Sequence, residues 1–340
     1  MNGMPAPSLV PALLLLAASP AVADDEVLVL SYFRGNGEAG VYLAASADGH
    51  RFVPLNDDQP VFSPPDWPKQ SLTRDPSILH HEGRFHMVWT SNWEGRVFGY
   101  ASSPDLVEWS EPVRVRPFPE SLPPEDQPQN VWAPEIHHDP LHDDFFILFS
   151  STTPRELGDG DSPTPHDLDH RTYVVRTRDG NEFSDARLFY DPGFSVIDPV
   201  LRRDPAGDRW VMVIKHELHP EDGGKNLRLA FAPADLEKDF PPPVTKLSEP
   251  IVGPGSPIRP GEKVEGPSLL RRDGRWWLYC DAFTNHHYTL VTSADLETWR
   301  DETDRLEMPD HLRHGTVFAA PRSAVGWLNG AGEPGKEGRR

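Results

Sequence analysis

Acidic residues recur beside proline or glycine at wide intervals along the chain. The copies are Asp75-Pro76, Pro134-Glu135, Asp198-Pro199 and Glu265-Gly266, and His314-Gly315 closes the series. Each is followed by an apolar run, a charged turn and an aromatic run, so each reads as the opening of a strand. Gathering several carboxylates in a narrow interior is costly. One Asp-Pro alone is an ordinary turn signal. Three acids on one repeat lattice point to chemistry. Hydrolysis of a glycosidic bond needs two carboxyl groups across it, one ionised and one carrying a proton. A third acid nearby raises the pKa of the proton donor by like-charge repulsion. Asp75, Asp198 and Glu265 are the candidates for that trio.

The elements that must position them also repeat. A small-x-Asp-Gly/Leu segment followed by an aromatic occurs at Ser46-Asp48-Gly49-Phe52, Ser103-Asp105-Leu106-Trp109, Thr177-Asp179-Gly180-Phe183 and Ser293-Asp295-Leu296-Trp299. A looser copy is Ala232-Asp235-Leu236-Phe240. Helical periodicity is missing, and short apolar runs separated by Gly, Pro, Asp and Asn dominate. Five copies of two paired elements predict an all-β fold, a five-bladed β-propeller of four-stranded sheets. The first strand of each blade then lines the central channel, and the openers meet at one mouth of it. The Ser46 copy precedes the first opener, so it is expected to complete the blade of His314 and close the ring. A β-sandwich would not need five paired repeats. The stretch Pro154 to His170 reads as an inserted surface loop, and residues 323–340 as a disordered tail.

The bulk properties narrow the partners. A formal charge of -20 disfavours nucleic acid and anionic membranes and leaves carbohydrate open. The single cysteine, Cys280, lies in an apolar run and is expected to be buried and inert. Leu13 to Ala18 is too short to span a bilayer, and Ala21-Val22-Ala23 is a small-x-small cleavage site. Residues 1–23 thus read as a signal peptide, the propeller as residues 24–322, and the protein as secreted or periplasmic. A monomer is expected.

In these motifs the chain resembles glycoside hydrolase family 43, the five-bladed propellers acting on arabinose- and xylose-containing polymers. Asp75-Pro76-Ser77-Ile78 matches the family's Asp-Pro-Ser base motif, and Trp132-Ala133-Pro134-Glu135 its second-blade motif. Asp198-Pro199 matches the pKa-tuning Asp-Pro, and Glu265-Gly266-Pro267 the Glu-Gly-Pro of the general acid. His314-Gly315 matches a His-Gly whose histidine helps hold a central cation or water. The resemblance implies inversion: Asp75 activates water, Glu265 protonates the leaving oxygen, and Asp198 stays ionised and keeps Glu265 protonated. It implies an α-L-arabinofuranosidase or β-xylosidase acting from a chain end. No cofactor is required by that chemistry. A structural Ca2+ near His314 is an expectation, and no His/Cys cluster has zinc spacing.

Around the trio, Arg74 can bind sugar hydroxyls or orient Asp75, and Glu135 can support the wall of the site. Trp93, Trp132 and Phe33 are candidate platforms for sugar rings, whereas Trp109 and Trp299 belong to the packing repeat. Two other readings fit the composition. One is a retaining fructan-type hydrolase, which also uses acidic strand openers. The other is a carbohydrate-binding propeller without catalysis, since fold does not fix function.

Overall fold

The small-x-Asp repeat folds as one recurring turn. The leading hydroxyl accepts the amide three residues on: Ser46 from Gly49 at 2.8 Å, Ser103 from Leu106 at 2.8 Å, Thr177 from Gly180 at 2.9 Å and Ser293 from Leu296 at 2.8 Å. The Asp then accepts amides beyond it, as Asp105 does from Val107 and Glu108. The turn drives the fourth residue to positive φ, +80° at Gly49 and +69° at Leu106. This explains why glycine is frequent there. The aromatic that follows packs between sheets. Phe52 meets Tyr279 edge-on, and Phe183 meets Phe98 and Tyr100.

A computed structural model describes residues 26–152 and 168–326. The chain begins with β1 (Glu26–Arg34), β2 (Tyr42–Ser46) and β3 (Val53–Pro54). Blade 1 is β4 (Arg74–His81), β5 (Arg84–Thr90), β6 (Phe98–Ser103) and β7 (Val113–Val115). Blade 2 is β8 (Trp132–Asp139), β9 (Asp144–Ser151), β10 (Arg171–Thr177) and β11 (Arg187–Tyr190). Blade 3 is β12 (Val196–Arg203), β13 (Arg209–His216) and β14 (Asn226–Pro233). Blade 4 is β15 (Glu265–Arg272), β16 (Arg275–Ala282), β17 (His287–Ser293) and β18 (Trp299–Asp301). Finally β19 (Leu312–Pro321) pairs antiparallel with β1, from Glu26 opposite Pro321 to Arg34 opposite Leu312. Blade 5 is therefore β19-β1-β2-β3, and the ring closes between first and last strands as expected.

Blade 3 departs from four strands. Its outer segment bonds β14 at every few residues, with Thr245 N to Phe231 O at 2.9 Å and Ser248 N to Leu229 O at 2.7 Å. Pro241, Pro242 and Pro243 lead into it and lack amide donors, so no regular ladder forms. This is also the blade whose turn copy lacks the leading hydroxyl.

Apolar packing is divided among five clusters, one at each junction between neighbouring blades. Period-2 alternation splits a strand between two of them. Along β13, Trp210, Met212 and Ile214 face blade 2, while Val211 and Val213 face blade 4. Cys280 is fully buried at the junction of blades 3 and 4, and its thiol pKa lies far above normal through burial. Past Pro321 the expected tail first forms a helical turn, α1 (Arg322–Val325), with Val325 buried against the blade 5–blade 1 junction. The signal-peptide residues, the remaining tail and most of the inserted loop lie outside the described residues. Among the described residues no helix is long and apolar enough to cross a membrane.

Candidate active site

Every inner strand carries a β-bulge at the same place. The ladder skips two residues between Arg74 and Ser77, Trp132 and Glu135, Ile197 and Val200, Glu265 and Ser268, and Arg313 and Thr316. The first skipped residue is Asp75, Ala133, Asp198, Gly266 or His314, and the second is Pro in four blades and Gly in one. Proline suits a position that donates no ladder bond. Four of the five first positions have positive φ: +50° at Asp75, +46° at Ala133, +54° at Asp198 and +57° at Gly266. Such backbone is strained for non-glycine residues and clusters at functional sites. Gly266 also needs its missing side chain, because a Cβ there would collide with the His314 ring.

This register corrects the single lattice of openers. Asp75, Asp198 and His314 are equivalent positions. Glu265 stands one residue earlier, in the row of Arg74, Trp132, Ile197 and Arg313. Glu135 stands two residues beyond Ala133, in the row of Ser77, Val200, Ser268 and Thr316. Glu135 consequently lies below the mouth. Its Oε2 accepts the Thr316 hydroxyl at 3.0 Å, and its Oε1 is 3.5 Å from Arg202. It is a tie across the channel and does not line the cavity.

A second row governs the site. Thr90, Ser150, Lys215 and Asp281 are equivalent on the second strands. In three blades this side chain accepts the bulge amide of the next blade: Thr90 from Ala133 at 2.8 Å, Ser150 from Asp198 at 3.1 Å, Asp281 from His314 at 3.1 Å. A lysine cannot accept. In blade 3 the Gly266 amide instead donates to the Asp198 carboxylate at 2.9 Å, and Lys215 reaches Glu265 Oε2 at 3.0 Å. One substitution in the row thus ties Asp198 to the backbone beside Glu265.

Asp75, Asp198, Glu265 and His314 meet in a cavity of about 270 Å³, with Arg74, Trp93, Trp132, Lys215 and Phe283 among its other walls. His314 Nδ1 lies 3.5 Å from Asp75 and 3.9 Å from Asp198. Burial disfavours its charge, but the carboxylates of Asp198, Asp75, Glu265 and Asp281 outweigh burial and raise its pKa. Burial pushes Asp198 up to about 6, with help from Glu265 and against His314 and Lys215. Burial acts on Glu265 too, but Lys215, His314 and Arg313, whose Nη2 lies 3.1 Å away, bring it down to about 2. Burial therefore favours the neutral form of Asp198, while the surrounding cations favour the ionised form of Glu265, the opposite direction to the expected division of the proton. The largest charge acting on Glu265 is Lys215, which no sequence motif singled out.

His314 was also expected beside a Ca2+. Its ring lies between the carboxylates of Asp75 and Asp198, which favour its protonated form. Among the described residues no group of three His, Cys, Asp or Glu side chains is arranged to hold a metal.

On the opposite wall, Asn36 Oδ1 accepts both Arg74 and the Trp93 indole at 2.8 Å. Arg74 also stacks on Trp93, 4.0 Å from the ring centre. Trp132 Nε1 donates to Trp93 O at 2.7 Å. Trp93 is 48% exposed yet fixed by these contacts, which suits a platform for a sugar face. Phe33 does not reach the mouth; it is fully buried beneath Arg74, whose guanidinium lies 4.7 Å from its ring centre. Beyond the two tryptophans runs a wider groove of about 1100 Å³, edged by Arg96, Gln127 and Gln129.

Comparison with solved structures finds the same fold. A thermostable family-43 glycoside hydrolase superposes with a TM-score of 0.51 at 16% identity, over 74% of this chain and 80% of that one. A family 43 enzyme from Xanthomonas citri, complexed with xylose, gives 0.50 at 16% identity, over 68% and 73%. No curated protein sequence matches. Residues 25–324 match the glycosyl hydrolase family 43-related group, described as "Probable glycosyl hydrolase domain". The chain accordingly belongs to that group, and it is a glycoside hydrolase acting on O-glycosyl bonds.

Proposed function

We propose that this glycosidase is secreted, inverting and exo-acting, and that it removes single α-L-arabinofuranosyl or β-xylosyl units from plant-type polysaccharides. The observation that carries the reading is the convergence of Asp75, Asp198 and Glu265 in one small cavity walled by a fixed tryptophan. A cavity of about 270 Å³ has room for one sugar ring, which favours action at a chain end.

In this mechanism Asp75 deprotonates the attacking water and Glu265 protonates the leaving oxygen. The proton reaches Glu265 from Asp198, the neighbour whose burial favours its protonated form. Inversion requires Asp75 and Glu265 to stand roughly 6.5–9.5 Å apart, leaving space for the water. Proton NMR during hydrolysis of an α-arabinofuranoside should show the β-anomer first. Initial release of the α-anomer would overturn inversion.

The proton held by Asp198 also sets a pH limit. As pH rises through about 6 that proton is lost, and with it the supply to Glu265. We expect kcat/KM to fall about tenfold per pH unit above that point. A profile flat from pH 6 to 8.5 would rule out Asp198 as the reservoir.

A further inference from the structure

The cavity contains more positive charge than its chemistry consumes. Arg74, Lys215, Lys225, Lys263 and His314 line it, against Asp75, Asp198, Glu217 and Glu265. One of those carboxyls must carry the catalytic proton, so two cations are left over. They can be identified. Neither Arg74 nor Lys263 has a carboxylate within ion-pair distance among the described residues. This surplus sits in a chain whose formal charge is -20.

The two cations lie on different walls. Arg74 belongs to blade 1 and is held by Asn36 beneath Trp93. Lys263 stands two residues before Glu265, the first residue of β15. The Val264 amide donates to Lys225 O at 3.1 Å, which brings the Lys263 segment alongside Lys225. Lys225, 5% exposed, pairs with Glu217 at 2.6 Å. Lys215, 2% exposed, bridges Glu217 at 2.8 Å and Glu265 at 3.0 Å. Lys215 thus touches Glu265, and Lys225 and Lys263 line the same cavity. Their charge is balanced best while Glu265 is ionised, but Glu265 must be neutral when it donates.

We propose that the sugar on the leaving-group side is a uronic acid, whose carboxylate is received by Lys263 and Lys225 beside Glu265. This rests on Glu265 being the proton donor. The substrate carboxylate supplies the anion that the lysine wall lacks. It also competes with Glu265 for Lys215, which lets Glu265 take the proton from Asp198. A substrate with an acidic leaving sugar thereby prepares its own general acid. Neutral hydroxyls could not do this, because they offer no charge to replace that of Glu265.

The test uses the full chain and has two arms. In the first, the Asp75→Asn variant is titrated calorimetrically with sodium galacturonate, sodium glucuronate and their methyl esters. One of the acids should bind at least roughly tenfold more tightly than its ester. Lys263→Ala in that background should bring the acid-to-ester ratio close to one. Lys225→Met should do the same, and Lys263, being exposed, can be replaced without endangering the fold. In the second arm, wild-type kcat/KM is compared for a pentosyl-uronic acid disaccharide and its methyl ester, with the same expected ratio. Equal binding of acids and esters, or a ratio unchanged in both lysine variants, would overturn the proposal. Acid-selective binding without hydrolysis of any pentoside would instead sustain the lysine site and remove the pentosidase reading.

Discussion

Glu265→Gln should reduce turnover of an unactivated glycoside by about 10²–10⁴-fold, the range lost with a general acid. Glutamine keeps the shape but carries no transferable proton, and its single carbonyl oxygen can accept from only one of Lys215 and Arg313. The loss should depend on the leaving group. A nitrophenyl glycoside, whose phenolate needs little protonation, should lose far less than a disaccharide. Product-sugar affinity should change by a few-fold at most. Equal losses on both substrates would mean that Glu265 is not the donor. Retained activity on the disaccharide would move the role to Asp198, the other carboxyl able to hold a proton in the free site. Glutamine also leaves Lys215 and Arg313 without the charge of Glu265, so thermal melting of the variant should accompany the kinetics.

Arg202→Met should lower unfolding stability by about 3–5 kcal/mol, the cost of stripping the partner from a buried charge. Glu135 is buried, and its charge partner Arg202 is a quarter exposed. Burial raises the pKa of Glu135, and Arg202, Ser77, Thr316 and His314 pull it back. Without Arg202 only hydrogen bonds and the more distant His314 oppose burial, and Glu135 must bind a proton or remain an uncompensated ion. A carboxyl whose folded pKa is raised contributes stability at low pH and loses it as pH rises through the folded value. The deficit should therefore grow between pH 5 and pH 8. Urea unfolding at both pH values measures it, through a shift in midpoint at unchanged slope. Adding Glu135→Gln should recover much of the loss. An Arg202→Met protein as stable as the parent at pH 8 would show that the Glu135 contact is dispensable.

Much of this was legible in the residue order. The turn hydroxyls and Asp residues form local bonds, so Ser103, Asp105 and Leu106 announced their turn without any tertiary information. Asp75, Asp198 and His314 do share one structural position, and their beads-on-a-string spacing revealed it. Glu265 and Glu135 were placed in the wrong rows because a bulge shifts register by one residue, and a Gly-Pro or Pro-Glu pair does not say which partner is skipped. Lys215 was invisible for a different reason. Its partner Glu265 lies 50 residues away, and a lysine ending an apolar strand looks like any solvent-seeking terminus. Aligning the second strands by their repeat would have exposed it, since Thr90, Ser150 and Asp281 occupy the same row. Phe33 was misjudged because sequence gives no depth: the exposed ring is Trp93, and Phe33 is the layer beneath its neighbour.

The closure of the ring by β19 has a consequence for biosynthesis. Arg313 and His314 arrive on β19, whereas Asp75 is available some 240 residues earlier. A chain still emerging can stack blades 1 to 4, but β1 has no partner on its inner side and Glu265 lacks one of its two cations. Catalytic competence is therefore withheld until β19 has been made, and a product truncated before residue 312 would be inert as well as open at one sheet edge. The closing strand doubles as a completeness check on the enzyme.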